Sequence, residues 1–379
     1  GSGVMTWVAR SSVADLDDLS DAKIAGANFT NSLLIGHTTT GSLSSADGNV
    51  GVGAGALDAI TQGDNNVAVG YGALTTNTTG AQNAAVGMDA LKVNVGGSEN
   101  SAFGYGSLDA NTSASSNSAF GYDALGANTT GEKNTAVGAY ALNSNTTAAG
   151  NIAIGYQALY DANRTADANA FNVAIGYLAG NTGTNDITTG DQNVLIGYNT
   201  AASVLTASNQ IVIGAGASGT ANNAISLGNT SISSIKGQVD FSTYSDARIK
   251  KDIRNNDLGL AFINKLRTVK YKLKNPADYP LAVQDRRFTE RNEPRPADNE
   301  TVYNGLIAQE VKAVMDELDI KWSGWSANES DGKQGLQYGS LTVPLIKAVQ
   351  EQQDQIEDLM RKYEELAAQN QKLLDMMSN

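Results

Sequence analysis

Ser245 and Lys250 stand five residues apart in "TYSDARIKKD", residues 243–252. A hydroxyl becomes a nucleophile when a neighbouring base takes its proton, and a neutral lysine amine can be that base. The chain has no cysteine and a single histidine, His37. A backbone cut at Ser245 would therefore use a base other than imidazole. Arg248, Lys251 and Arg254 crowd Lys250, and like charges disfavour its protonated form. Burial would act in the same direction. Ser245 Oγ would attack the carbonyl of Tyr244, turn the peptide into an ester, and leave water to finish the cut. Five residues is not a same-face helical spacing, so the two side chains need a bent backbone. A second reading of the same residues stays open: Ser245-Asp246 as a helix N-cap with solvated cations behind it.

The pair lies on a border in composition. Residues 1–244 hold 6 Lys/Arg and 17 Asp/Glu, whereas residues 245–379 hold 20 and 22. All five prolines lie at or after Pro276, and 34 of the 40 glycines lie before Ser245. The acidic first part argues against nucleic acid as a partner, because phosphate binding needs a basic stripe. No run of 18 apolar residues exists, so no membrane insertion is expected. His37, in a Gly/Thr-rich stretch, reads as a solvated turn residue. With no thiolate and no second histidine, no metal and no cofactor are expected.

Upstream of the border the sequence repeats. "NVAVGYGALTTNTTGAQ" is followed by "NAAVGMDALKVNVGGSE", "NSAFGYGSLDANTSASS" and further copies. The glycine closing each apolar run is Gly36, Gly53, Gly70, Gly87, Gly104, Gly121, Gly138 and Gly155, every step being 17 residues. The next steps are 21, 21, 17 and 14, to Gly176, Gly197, Gly214 and Gly228. A fixed step over so many copies signals a solenoid with one coil per repeat. Alternation in "NVAVG" puts Val67 and Val69 on one face of a short strand and Ala68 on the other. Leu57, Leu74, Leu91, Leu108, Leu125, Leu142 and Leu159 give each coil a second apolar point. "NTTG" reads as a corner, its Asn and Gly taking left-handed backbone. Its match to the N-glycosylation pattern then follows from the corner chemistry. "GAGASG" at 214–219 fits the dinucleotide fingerprint, but another strand follows where a helix would be needed. Asp64 and Asp191 read as surface acids at turns.

Each coil has few large aliphatic side chains. Apolar burial is worth about 25 cal/mol per Å², thin against an ordering cost of roughly 1–2 kcal/mol per residue. Three copies around an axis could bury the Val/Ile/Phe rows together, so a homotrimer is expected. "NVAIG" and "NIAIG" with Gly/Ala/Ser-rich turns resemble the left-handed parallel β-roll heads of trimeric autotransporter adhesins, repeats that also occur in phage tail fibres. The resemblance covers about residues 32–228.

Downstream, "LGLAFINKLRTVKYKLK" reads as a short helix and then a strand. "NGLIAQEVKAVMDELDI" places Leu306, Ile307, Val311 and Val314/Met315 at helical spacing. Residues 275–300, rich in proline and charge, read as an exposed arm. "ISSIKGQVDF" reads as strand. From Leu341 a heptad runs with Leu345, Gln352, Leu359, Leu366 and Leu373 at d and Val349, Ile356, Tyr363, Asn370 and Met377 at a. A helix docked on its own domain is the alternative to a coiled coil.

"SDARIKKDI", "GLIAQEV" and "LTVPLIKAVQEQQDQI", in this order after a repetitive β-region, resemble the C-terminal intramolecular chaperone of phage tailspikes and fibres, the endosialidase type. The resemblance covers about residues 243–379. It implies trimerisation, guided folding of the upstream rod and self-cleavage between Tyr244 and Ser245 by a Ser245–Lys250 dyad. The expected fold is mainly β: a homotrimeric left-handed β-roll shaft, then an α+β chaperone domain ending in a trimeric coiled coil. The expected segments are a connector 1–31, the shaft 32–228, a β-rich junction 229–244, the chaperone domain 245–340 and the coiled-coil helix 341–379. The expected function is that of a virion tail fibre or tailspike component that meets a host-surface glycan or protein receptor and acts enzymatically only on itself. A bacterial trimeric surface adhesin without self-cleavage is the alternative. A glycan-cleaving enzyme would need paired carboxylates in a cleft, and acids on the shaft are sparse.

Overall fold

In the computed structural model, the residues described are 22–26, 29–36, 44–163, 169–183, 185–229, 232, 235, 238, 244–283, 300–328 and 332–378. His37, most of the expected "ISSIKGQVDF" strand and residues 284–299 of the expected arm lie outside them. Contacts divide the chain into Gly1–Ile232 and Ser233–Asn379.

The first unit is a parallel β-solenoid. Among the described residues it carries eleven three-residue strands, from Val50–Val52 to Ile225–Leu227. Each pairs in register with the strand of the next coil: Val67 with Ala84, Ala68 with Ala85, Val69 with Val86. A hairpin of Ala22–Gly26 and Phe29–Ile35 precedes them. The middle residue of each strand points inward, so Ala68, Ala85, Ala102, Ala119, Ala136, Ala153 and Ala174 are fully buried. The flanking residues point outward. Val69, Phe103, Phe120, Val137, Ile154, Ile175 and Ile213 keep 37–40% of their surface exposed. Two residues further on, a column of tyrosines continues this face, with Tyr105 and Tyr122 stacked at 5.1 Å and Tyr156 and Tyr177 at 5.2 Å.

The core also holds a row of amides. Asn66 donates from its backbone N–H to Oδ1 of Asn49 at 2.9 Å, and from Nδ2 to the carbonyl of Gly80 at 2.9 Å. The same backbone bond joins Asn83 to Asn66, Asn100 to Asn83, Asn117 to Asn100, Asn134 to Asn117 and Asn151 to Asn134. It continues through Asn172 and Asn193 across the two 21-residue steps. The longer coils therefore place their extra residues outside the ladder. A buried amide with all its groups paired is stable, whereas an orphaned one is costly.

The asparagines of the "NTTG" corners form a second row, which corrects the corner reading. Asn77, Asn94, Asn111, Asn128 and Asn145 are buried and none has a positive φ. Asn94 donates from Nδ2 to Oδ1 of Asn77 at 2.9 Å and to the carbonyl of Gly97 at 2.9 Å, closing the turn with its side chain. Left-handed backbone falls instead on the seven leucines, Leu57 to Leu159, at φ 49–58°, and among other positions on the residue before the strand-leading asparagine, as at Asn65, Gln82, Glu99, Ser116 and Lys133. Left-handed backbone costs a non-glycine residue roughly 1–2 kcal/mol, while full burial of a leucine returns about 1.5–3 kcal/mol. Burial wins, and neighbouring coils hold the geometry: Leu74 N–H donates to the carbonyl of Ala90 at 3.0 Å. The strand-closing glycines from Gly53 to Gly214 have φ 127–148°. A Cβ on Gly87 would sit 2.4 Å from the carbonyl oxygen of Gly104. This glycine-on-glycine stack marks the 17-residue rule in the sequence.

The second unit is α+β. Helix α1, Leu260–Lys265, is followed by strand Val269–Tyr271, which pairs antiparallel with Tyr303–Gly305. Helix α2 spans Ala308–Glu317 and starts after Leu306 and Ile307, which the helical spacing places on the helix. Ile307 has extended backbone and serves as its N-cap residue. Strands Trp325–Ala327 and Gln334–Leu336 form a second antiparallel pair. Helix α3, Thr342–Met377, has 36 residues. Phe262, Val311, Met315 and Trp322 form the core. Helix α3 docks only by its first turns, where Pro344 and Ala348 are buried and Glu351 accepts the Leu260 N–H at 2.7 Å. Beyond Glu351 its apolar side chains, including Ile356, Leu359, Tyr363, Leu366 and Leu373, are exposed.

Replacing Asn100 by Ala removes the acceptor of the buried Asn117 N–H. The expected loss is about 1–3 kcal/mol. Glu132→Ala, on the exposed rim of a coil, is expected to stay within about 0.5 kcal/mol of the parent. Denaturation followed by circular dichroism checks both.

Candidate functional site

The backbone between Ser245 and Lys250 makes one tight turn. Residues Ala247–Ile249 form a 3-10 helix, with Asp246 as N-cap and Lys250 as C-cap, both in extended conformation. Ile249 N–H donates to the carbonyl of Asp246 and Lys250 N–H to that of Ala247, each at 3.2 Å. The bend supplies what helical spacing could not. Lys250 Nζ lies 2.7 Å from Ser245 Oγ, in a hydrogen bond. Tyr244, on the other side of the Tyr244–Ser245 peptide, is 93% exposed. Ser245, Lys250, Lys251 and Arg254 are exposed as well.

Both readings left open by the sequence thus have a counterpart in the geometry. A carboxylate caps the turn, and the lysine reaches the hydroxyl. The cap is Asp246, whose Oδ1 accepts the Arg248 N–H at 2.9 Å. The expected crowd of cations is altered by the same residue. Arg248 is paired with Asp246, its Nε donating at 3.0–3.1 Å and its Nη2 at 2.5 Å. The Arg248 guanidinium, with help from its backbone N–H, holds the Asp246 carboxyl below the usual carboxylate range. The Asp-x-Arg spacing was present in the sequence, but it becomes legible only once the backbone between the two is a 3-10 turn.

Carboxylates on the solenoid bear on the hydrolase alternative. Asp89, Asp109 and Asp123 lie close enough on neighbouring coils to interact. Burial, then Asp123 and more weakly Asp89, push the Asp109 carboxyl above its ordinary range. Lys92 pairs with Asp89 at 3.2 Å. Among the described residues, no group of three or more His, Asp or Glu is arranged to hold a metal ion. None of their helices is long and apolar enough to cross a membrane.

Residues 245–320 match the family described as chaperone of endosialidase. The match begins at Ser245 and takes in α1, the first antiparallel strand pair and α2. No curated protein and no solved structure matches the chain. A chaperone-of-endosialidase domain behind a parallel β-solenoid supports a protein of tail-fibre or tailspike type with an intramolecular chaperone, and suggests a phage tail appendage.

The raised Asp109 carboxyl gives a signed pH dependence. The folded chain holds this proton more tightly than the unfolded chain. Its ionisation therefore opposes folding, fully above the raised value and not at all below the ordinary carboxylate range. Asp109→Asn is expected to raise the melting temperature at pH 7, with the gain vanishing below about pH 4. Thermal melts of parent and variant across pH check the sign.

Proposed function

We propose that this chain is a homotrimeric tail-fibre or tailspike component whose C-terminal domain assembles the β-shaft and then cuts itself away between Tyr244 and Ser245. One observation carries the reading: a chaperone-of-endosialidase match that starts at a serine whose hydroxyl lies 2.7 Å from a lysine amine. In this reading the neutral Lys250 amine takes the Ser245 hydroxyl proton. Ser245 Oγ bonds to the Tyr244 carbonyl carbon, the C–N bond breaks, and the proton passes to the leaving Ser245 nitrogen. Water then hydrolyses the ester, freeing the Tyr244 carboxylate and restoring the serine. Desolvation favours a neutral amine, and packing of three copies would supply it.

Two exposed apolar surfaces support the trimer. The first is the outward row of Val, Ile and Phe on the solenoid, continued by the tyrosine column. The second is the unpaired a/d seam of α3, with Val349 64% and Leu359 68% exposed. Monomeric proteins rarely expose apolar patches of such extent. A host-surface glycan or protein receptor is the partner this role requires. The domain's departure would leave the shaft, bearing a new carboxylate at Tyr244, on the virion.

On a denaturing gel with intact-mass readout, the parent is expected to release a 135-residue piece that begins "SDARIK". Ser245→Ala and Lys250→Ala are expected to stay whole. Light scattering of Ser245→Ala is expected to give three times the 39.4 kDa chain mass. An intact parent with a folded solenoid would remove the self-cleavage, and a stable lone chain would remove the trimer.

A further inference from the structure

Five residues separate the hydroxyl from the amine, and neither is held by burial. Their approach depends on the turn between them. That turn has two backbone bonds, both long at 3.2 Å. Asp246 adds the remaining restraints. Its Oδ1 accepts the Arg248 N–H, the donor that a 3-10 turn this short leaves without a backbone partner. Its Oδ2 takes the Arg248 guanidinium, so the arginine side chain is drawn back over the start of the turn. A carboxylate at this position therefore fixes both the backbone and the largest side chain between Ser245 and Lys250.

We propose that Asp246 is a positioning residue for the Ser245–Lys250 pair, acting by capping the 247–249 turn that brings the amine to the hydroxyl. The proposal rests on the self-cleavage reading above. Asp246 takes no proton and touches no reacting atom in this scheme. The cap needs an oxygen at the end of a one-carbon arm, so its chemistry separates from its charge. Asparagine keeps the oxygen and loses the charge. Glutamate keeps the charge and carries the oxygen one carbon too far.

The test is the rate at which the full-length chain is cut, followed by gel and intact mass, in the parent and in Asp246→Asn, Asp246→Glu and Asp246→Ala. Light scattering and circular dichroism on the same samples report assembly and folding. Asp246→Asn is expected to cut within about threefold of the parent, since Asn and Asp cap alike. Asp246→Glu and Asp246→Ala are expected to slow the cut by about 100-fold, the scale of a 1 Å misplacement, with assembly unchanged. An alanine variant cutting at the parent rate overturns the positioning role alone. So does a fast glutamate with a slow asparagine, which would make the charge the active feature. Should the alanine variant lose assembly, the contrast between asparagine and glutamate decides. A parent that never cuts, or a Ser245→Ala chain that does, overturns the dyad itself and this role with it.

Discussion

A buried amide on each coil holds the shaft together. From Asn49 to Asn134 the side chain of one asparagine accepts the backbone N–H of the asparagine one coil further on, and its own amide nitrogen bonds a carbonyl across the coil. The strand ladder alone would fix neighbouring coils at one edge. The asparagine row fixes them in the interior as well, where an unpaired group would be costly. Once the amides fill the middle, most of the remaining space is taken by alanine and one leucine per coil, with Ile60, Ile187, Leu195 and Val212 as the larger exceptions. The Val, Ile and Phe side chains that flank the middle residue of each strand form its outer wall.

That arrangement explains what the sequence showed and what it hid. The 17-residue step was legible because glycine stacked on glycine leaves no room for a Cβ, and the seven leucines were legible as an apolar column. The asparagines misled. Asn77 and its equivalents have the composition of an exposed corner, and they close a corner, but from inside and with the side chain. Asn66 and its equivalents stand directly before each strand, where a polar residue carries no signal of burial. Periodicity marks such a position without saying which way the side chain turns. A sequon inside such a row, such as Asn77-Thr78-Thr79, presents a buried amide.

The second unit was legible where spacing is local. The helix and strand of residues 260–271 fall where apolar periodicity put them, whereas Leu306 and Ile307 share the helical spacing but lie just before α2. At the site, the sequence offered a cap and a dyad as rivals because a linear count treats them as competing uses of one segment. In three dimensions they use different atoms. Asp246 caps, and Ser245 is left free to meet Lys250.

The amide row ends on a different residue. Gln210 takes the place of asparagine: its backbone N–H donates to Asn193 Oδ1 at 3.0 Å as the pattern requires. Its longer side chain then turns back into the previous coil, where Oε1 accepts the Ser203 N–H at 3.0 Å and Nε2 bonds Ser203 Oγ. Its side-chain oxygen faces Ser203, and the next place in the row is Ala224, which has no side-chain amide to carry the row on. A stack of identical units has no inherent length and exposes a growing end, the hazard of any open strand edge. The strands run one coil further, Ile211–Ile213 pairing with Ile225–Leu227, so the interior amide row stops at Gln210 while the ladder at the wall continues, and the last coil joins the shaft without the buried amide that holds the coils before it.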